Sequence, residues 1–184
     1  MQQLRIGLVG TGNIGPQYVK GCRYFSEVLD LVACSDMNMD KARAFAAEHN
    51  LAAMTTSEMF ASSEIDIVVN LTVPAVHAEV SLAAIEAGKH VYSEKPLATT
   101  RADGEHVVNA ARERGVRLGC APDTFLGGGL QTSLKLINDG AIGEPVAAVA
   151  FFANHGPEAW HPNPAFFYQP GAGPMFDMGP YYLT

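Results

Sequence analysis

Leu4-Arg5-Ile6-Gly7-Leu8-Val9-Gly10-Thr11-Gly12-Asn13-Ile14-Gly15 joins a short apolar run directly to a G-x-G-x-x-G loop, and Pro16 and a helical pattern follow. The six apolar-rich residues before the loop suit a parallel strand buried on both faces. In a strand-loop-helix setting each glycine has a separate task. Gly10 permits the tight turn, Gly12 removes a Cβ so that the backbone can approach a pyrophosphate, and Gly15 lets helix and strand pack closely. Unpaired N–H groups at the helix start favour an anion there, and Pro16 is tolerated in a first turn because its missing N–H costs little.

Outward from this loop the chain alternates short apolar runs with helical patterns. Strands are expected at Leu4–Val9, Leu29–Ser35, 66–71, His90–Ser93 and 116–120, with helices between them, including 74–87 ending at Gly88 and 100–114 ending at Gly115. Thr100 and Asp103 have the spacing of a capping box. Such alternation implies right-handed crossovers, hence a doubly wound parallel α/β sheet with ligands at the carboxyl ends of its strands.

Asp36 stands 21 residues after Gly15 at the end of the second strand, where a carboxylate can accept both hydroxyls of an adenosine ribose. Its charge would repel a 2′-phosphate and neither Met37 nor Asn38 offsets it, so NAD is favoured over NADP. The other reading of Asp36 is a cap for a helix starting near Met39, a task for which Asp40 is better placed. Lys95, followed by Pro96 at another strand end, is either a site cation or a solvated lysine.

The 184 residues carry 12 basic and 19 acidic side chains, a net charge of −7. Hydrophobic residues at 48% against 17% charged exclude disorder. Acidity without a basic run argues against a nucleic-acid partner. The most apolar stretch, 146–153, is far short of the roughly 20 residues of a membrane span, and the start of the chain lacks a signal-peptide pattern, so a cytoplasmic location is expected. Cys22, Cys34 and Cys120 are odd in number and widely spaced, which suits reduced thiols and no metal site.

Composition changes near residue 123. The first 123 residues hold 26 charged residues and 6 aromatics, the last 61 hold 5 and 10, so two domains, 1–123 and 124–184, are expected. With so few charges the second needs a cover for its aromatics, either another domain or a subunit. Because an apolar helix starts near Gly179 and Pro180, the chain reads as cut inside this second domain. A strand over 144–154 is expected to drive self-association through an unpaired edge.

The loop G-T-G-N-I-G, Thr72 with Pro74 and His77, the string A-G-K-H-V-Y-S-E-K-P-L (87–97) and G-A-G-P-M-F-D-M-G-P-Y (171–181) together resemble the Gfo/Idh/MocA oxidoreductases. The resemblance implies a Rossmann domain followed by an α/β domain with an open-faced sheet, only the opening of which would lie in this chain. It implies that Gly10, Gly12, Asn13, Ile14, Gly15, Asp36, Thr72, Pro74, His77, Glu94, Lys95 and Pro96 line a dinucleotide, and that Lys95 reaches the reacting hydroxyl or carbonyl. Asp177 would match the acid of the family's D-x-G-x-H motif. Tyr181 stands where most members carry His, as in a branch that includes glucose-fructose oxidoreductase.

Hydride transfer needs an acceptor for the hydroxyl proton, and a phenol, with an ordinary pKa of about 10, serves near neutrality when a cation lowers that value. The expectation is Tyr181 as acid/base, Lys95 as the group that positions substrate, and Asp177 as orienter. His155, Trp160 and His161 lie in a Gly/Pro/Asn-rich loop whose aromatic and imidazole groups suit a sugar or polyol, or alternatively pack an interface. The expected activity is NAD-dependent oxidation or reduction of a sugar, polyol or related hydroxy compound by a homo-oligomer joined through the second domain's sheet, with the 184-residue chain itself inactive. Two other readings are a glycosidase working by transient oxidation and a non-catalytic nucleotide sensor.

Overall fold

The computed structural model describes residues 3–184. The chain divides into two compact units, residues 1–121 and 122–184.

The first unit is one six-stranded, wholly parallel sheet. Its strands are β1 (Leu4–Val9), β2 (Leu29–Ser35), β3 (Ala52–Ala53), β4 (Ile67–Asn70), β5 (His90–Ser93) and β6 (Leu118–Cys120), in the order β3-β2-β1-β4-β5-β6. Between them run α1 (Gly15–Tyr24), α2 (Met39–His49), α3 (Thr56–Ala61), α4 (His77–Glu86) and α5 (Arg101–Arg114). Three strands have the bounds expected from sequence and two are shorter. The two-residue β3 escapes any periodicity argument because it is too short to have a period.

Alternation along the strands feeds two cores. Val9, Val68 and Val91 pack with Met59, Ile85 and Val107 of α3, α4 and α5 on one face. Ile6, Leu8 and Val69 pack with Val19 and Cys22 of α1 and Phe45 of α2 on the other. Successive residues of a strand point to opposite faces, so neighbours such as Val68 and Val69 serve different cores, and the strands read as continuous apolar runs.

Local signals set the helix ends. Asn38 caps α2 by accepting from the N–H groups of Asp40 and Lys41, so neither Asp36 nor Asp40 has that task. Thr55 and Glu58 form a full capping box at α3. At α5 Thr100 accepts from Asp103 N–H and gives its hydroxyl to the Asp103 carboxylate, so the reciprocal half of the expected box is replaced by a side-chain bond. Gly115 ends α5 at φ +68.

The second unit contains α6 (Gly128–Asn138), α7 (Pro174–Asp177) and α8 (Gly179–Leu183), with 3-10 turns at Thr124–Leu126 and Pro164–Tyr168. Among its residues no strand forms. The expected strand at 144–154 is a correction: the segment is irregular, and Val146, Val149 and Phe151 are 92%, 78% and 88% exposed. A strand must pair its N–H and C=O groups with a neighbour, and this unit supplies none. Leu130, Leu134 and Ile137 make an exposed apolar stripe on α6.

Cys22, Cys34 and Cys120 are free thiols, and burial raises the last two to about 11 and about 12. Among the described residues no helix is long and apolar enough to cross a membrane and no His, Cys, Asp and Glu cluster could hold a metal.

Candidate functional site

In this strand order β1 and β4 are neighbours whose following connections depart to opposite sides, which opens a crevice at their carboxyl ends. Most of the first-unit residues singled out from sequence follow the carboxyl ends of its strands. The loop 10–15 leaves β1, Asp36 follows β2, Thr72 and Pro74 follow β4, and Glu94, Lys95 and Pro96 follow β5.

Gly10 adopts φ +100, and a Cβ on it would lie 2.7 Å from the carbonyl oxygen of Leu71. Here glycine is required by both backbone conformation and space. A Cβ on Gly12 would meet nothing within 4 Å, so its absence leaves an open cradle beside an exposed Asn13. Gly15 differs from its expected role, because a Cβ there would meet the Phe45 ring of α2 at 3.0 Å rather than a strand. The start of α1 has no side-chain cap, Ile14 standing at the N-cap position. Helices α2, α3 and α5 each carry one, whereas α1, like α4, leaves its first N–H groups without a side-chain acceptor, and such groups favour an anion.

The Asp36 carboxylate is held in place by that same loop. Its Oδ2 accepts from Thr11 N–H at 3.0 Å and Thr11 Oγ1 at 2.8 Å, and Oδ1 accepts from Asn38 N–H at 2.9 Å. Burial opposes ionisation, but these bonds, with the Lys41 charge, outweigh it and hold the carboxyl below its usual range. Asp36 is thus an oriented anion at the end of β2. The influence of Lys41 was not foreseen; it lies one helical turn beyond the residues considered.

Beneath the β4 and β5 ends lies a buried polar network. Asn70 Oδ1 accepts from Thr72 N–H at 3.2 Å and Thr72 Oγ1 at 2.6 Å, while its Nδ2 donates to the carbonyl of His77 and to Ser81 Oγ, both at 3.0 Å. Glu94 accepts from Tyr18 Oη at 2.8 Å through Oε1 and from Lys95 N–H at 3.0 Å through Oε2. Tyr18 lies on α1, so this bond ties the glycine-loop helix to the segment carrying the half-buried Lys95.

His77 needs correction as a residue lining a dinucleotide. Its side chain is fully buried, with Nδ1 and Nε2 at 2.6 and 2.8 Å from the carbonyl oxygens of Pro96 and Thr72. It contacts the main chain of the loops after β4 and β5 instead. Pro96 is buried as well, and Pro74 opens the 3-10 turn Pro74–Val76 that leads into α4.

Sequence reasoning missed Tyr18, Asn70, Ser81 and Thr11. Asn70 did give a signal, being a polar residue closing the apolar run Ile67-Val68-Val69. Lys89 was also missed as a structural residue. It is buried and its ammonium donates to the carbonyls of Ser62 and Ile65, so part of the G-K-H-V string maintains the turn before β4.

Within the second unit, Asp177 ends α7 and Tyr181 lies in α8, which begins at Gly179 as expected. A cleft of about 320 Å³ is lined by Trp160, Asp177, Phe152, Asn154, Phe167 and Tyr168, among others. Trp160 and Asp177 therefore share a cleft. His155 is exposed. His161 stacks among Trp160, Phe166 and Phe167 with centroids 4.8–6.3 Å apart and accepts from Asn163 N–H, which is aromatic packing.

Residues 4–121 match the family model described as oxidoreductase family, NAD-binding Rossmann fold, of the Gfo/Idh/MocA type. The chain belongs to the Gfo/Idh/MocA oxidoreductase family. Among curated relatives, a 1,5-anhydro-D-fructose reductase of Ensifer adhaerens is 36% identical over 153 residues, 81% of this chain and 45% of the relative. Inositol 2-dehydrogenase 3 of Saccharopolyspora erythraea is 33% identical over 163 residues, 86% of this chain and 48% of the relative. The chain thus spans about half the length of the curated relatives it matches. Among solved structures, the WlbA dehydrogenase of Bordetella pertussis, in complex with NADH and UDP-GlcNAcA, is similar with a TM-score of 0.72 and 31% identity over 76% of this chain and 43% of that one. A putative myo-inositol dehydrogenase of Sinorhizobium meliloti shares the fold over 96% of this chain and 52% of its own, with a TM-score of 0.78 at 24% identity.

Proposed function

We propose that this protein binds NAD in the β1/β4 crevice and serves hydride transfer between that cofactor and a sugar, polyol or related hydroxy compound. The observation that carries the reading is the oriented Asp36 carboxylate, bonded to Thr11 of a glycine loop whose helix start is uncapped. The residues fit the cofactor: the open space at Gly12 suits a pyrophosphate, the α1 start suits its charge, and Asp36 suits the two ribose hydroxyls. When bound, the nicotinamide supplies the hydride acceptor or donor.

The protein's own groups must then manage a proton. On oxidation the substrate C–H electrons leave as hydride while the O–H proton passes to a base. In this reading Tyr181 serves as the acid/base that takes the proton, Asp177 as the orienting acid, and Lys95 as the group that positions the substrate oxygen. The sugar or polyol assignment rests on the named activities of the relatives and on the Trp160 cleft, whose aromatic face suits C–H surfaces.

Calorimetric titration of the chain with NADH and then NADPH tests the reading. NADH is expected to bind at least about tenfold more tightly, a difference of about 1.4 kcal/mol, with Asp36→Ala narrowing the gap. Absence of binding by either nucleotide in the folded chain refutes it.

A further inference from the structure

His77 is fully buried, and both ring nitrogens face oxygens that can only accept: Nδ1 lies 2.6 Å from the Pro96 carbonyl and Nε2 lies 2.8 Å from that of Thr72. Each contact needs an N–H on the ring, and neutral imidazole carries one. A neutral ring would set a nitrogen lone pair against a carbonyl lone pair at hydrogen-bond distance, where no bulk water can intervene. We propose that His77 carries a proton on both nitrogens and is a positioning residue, a buried imidazolium that fastens the loop after β4 to the Lys95–Pro96 segment after β5.

The surroundings hold this arrangement from several sides. The carbonyl of His77 accepts from Asn70, whose other side-chain atom holds Thr72, so the ring and one of its partners are oriented by the same amide. The N–H of His77 bonds to Pro74 O, because the 3-10 turn Pro74–Val76 runs into α4. His77 is also the first residue of α4, which has no side-chain cap, so the positive end of that helix opposes a charge on the ring and the two carbonyls must outweigh it. Both groups bonded by the ring are uncharged dipoles turned with their negative ends toward it. The ionisable side chains on the elements packed around it are Glu79 and Glu86 of α4, Glu94 and Lys95 next to Pro96, and, on α5, which packs against α4, three acids, three arginines and His106.

The consequence for the site is geometric. Pro96 follows Lys95 directly, so a bond to its carbonyl restricts where the Lys95 main chain can sit relative to Thr72. Glu94 is held on the other side by Tyr18. Fixing a reacting group within its productive geometry is worth large factors in rate. This consequence rests on the hydride-transfer reading above, whereas the proton count on His77 does not.

The test is ring-nitrogen NMR of the whole chain labelled with ¹⁵N-histidine at about pH 7, where an unperturbed imidazole is mostly neutral. Its signals are identified by their loss in His77→Gln and, should that variant not fold, by the slowest exchange of ring N–H into D2O among the six histidines. Two protonated nitrogens are expected; one protonated and one bare nitrogen overturns the proposal. In the active enzyme a folded His77→Gln should lose about tenfold or more in kcat with little change in KM for NAD. An unchanged kcat overturns the positioning role. If no oxidoreductase activity exists, the nitrogen count still decides the imidazolium, so the two failures are distinguishable.

Discussion

Adding one methyl group at Gly10 or at Gly12 should have opposite kinds of effect, although the two are separated only by Thr11. At Gly10 the backbone has φ +100, and a Cβ would lie 2.7 Å from Leu71 O, 2.8 Å from Leu71 C and 3.0 Å from Thr72 N. All three are backbone atoms that cannot turn aside. The unfavourable conformation costs about 1–2 kcal/mol and the overpacking about 1–3 kcal/mol more. Gly10→Ala should therefore lose roughly 2–5 kcal/mol, and at about 2–4 °C per kcal/mol for a chain of this size the melting temperature should fall by roughly 4–20 °C. Gly12→Ala meets nothing within 4 Å in the protein, so its stability should stay within about 0.5 kcal/mol. Its new Cβ fills the cradle instead, and NADH affinity should drop about tenfold or more, which is about 1.4 kcal/mol. Scanning calorimetry gives the first quantity and isothermal titration the second. If Gly12→Ala melts as early as Gly10→Ala, or binds NADH as the parent does, the division of labour argued for the loop is refuted.

Asp66 is held at about 2 by the side-chain and main-chain bonds of Arg5. A carboxyl with a depressed folded pKa adds stability above its unfolded pKa of about 3.9 and loses it as pH falls through the folded value. Thermal melts should therefore show part of the acid loss between about pH 4 and pH 2, and Asp66→Asn should remove that part; an unaltered acid limb would show that the pair contributes nothing. Lys89→Met strands the carbonyls of Ser62 and Ile65 and should cost about 1–3 kcal/mol in denaturant melts while leaving NADH affinity intact, and a loss of affinity equal to that of Gly12→Ala would place Lys89 in the site instead. Replacing the exposed Val149 and Phe151 with Glu should reduce self-association in sedimentation runs, since an apolar unpaired segment is the expected contact; unchanged association would remove that segment from any interface.

The sheet was legible in sequence because strands buried on both faces read as apolar runs and because Gly10, Gly88 and Gly115 stand at backbone turns that few other residues accept. Asp36 was legible too, by spacing from the loop, since both flank neighbouring parallel strands. The task of capping α2 was assigned wrongly, because Asp36, Asn38 and Asp40 are all competent caps and only the path of the chain after β2 selects Asn38. The roles of His77, Lys89 and Tyr18 were beyond sequence reading for a related reason. A histidine, a lysine and a tyrosine have the same spelling whether they meet ligand, solvent or a buried carbonyl.

Local chemistry therefore determined by itself five of the six strands of the sheet, its parallel winding, the glycine loop and the acid that follows it. Only the tertiary structure decided that His77 lies behind the site rather than in it, that Lys89 closes a turn, that Gly15 meets Phe45, and that 144–154 forms no strand. The physical reason is that backbone conformation and alternating burial are encoded by neighbours in the chain. Hydrogen-bond partners such as Tyr18 with Glu94, 76 residues apart, exist only once separate elements have packed.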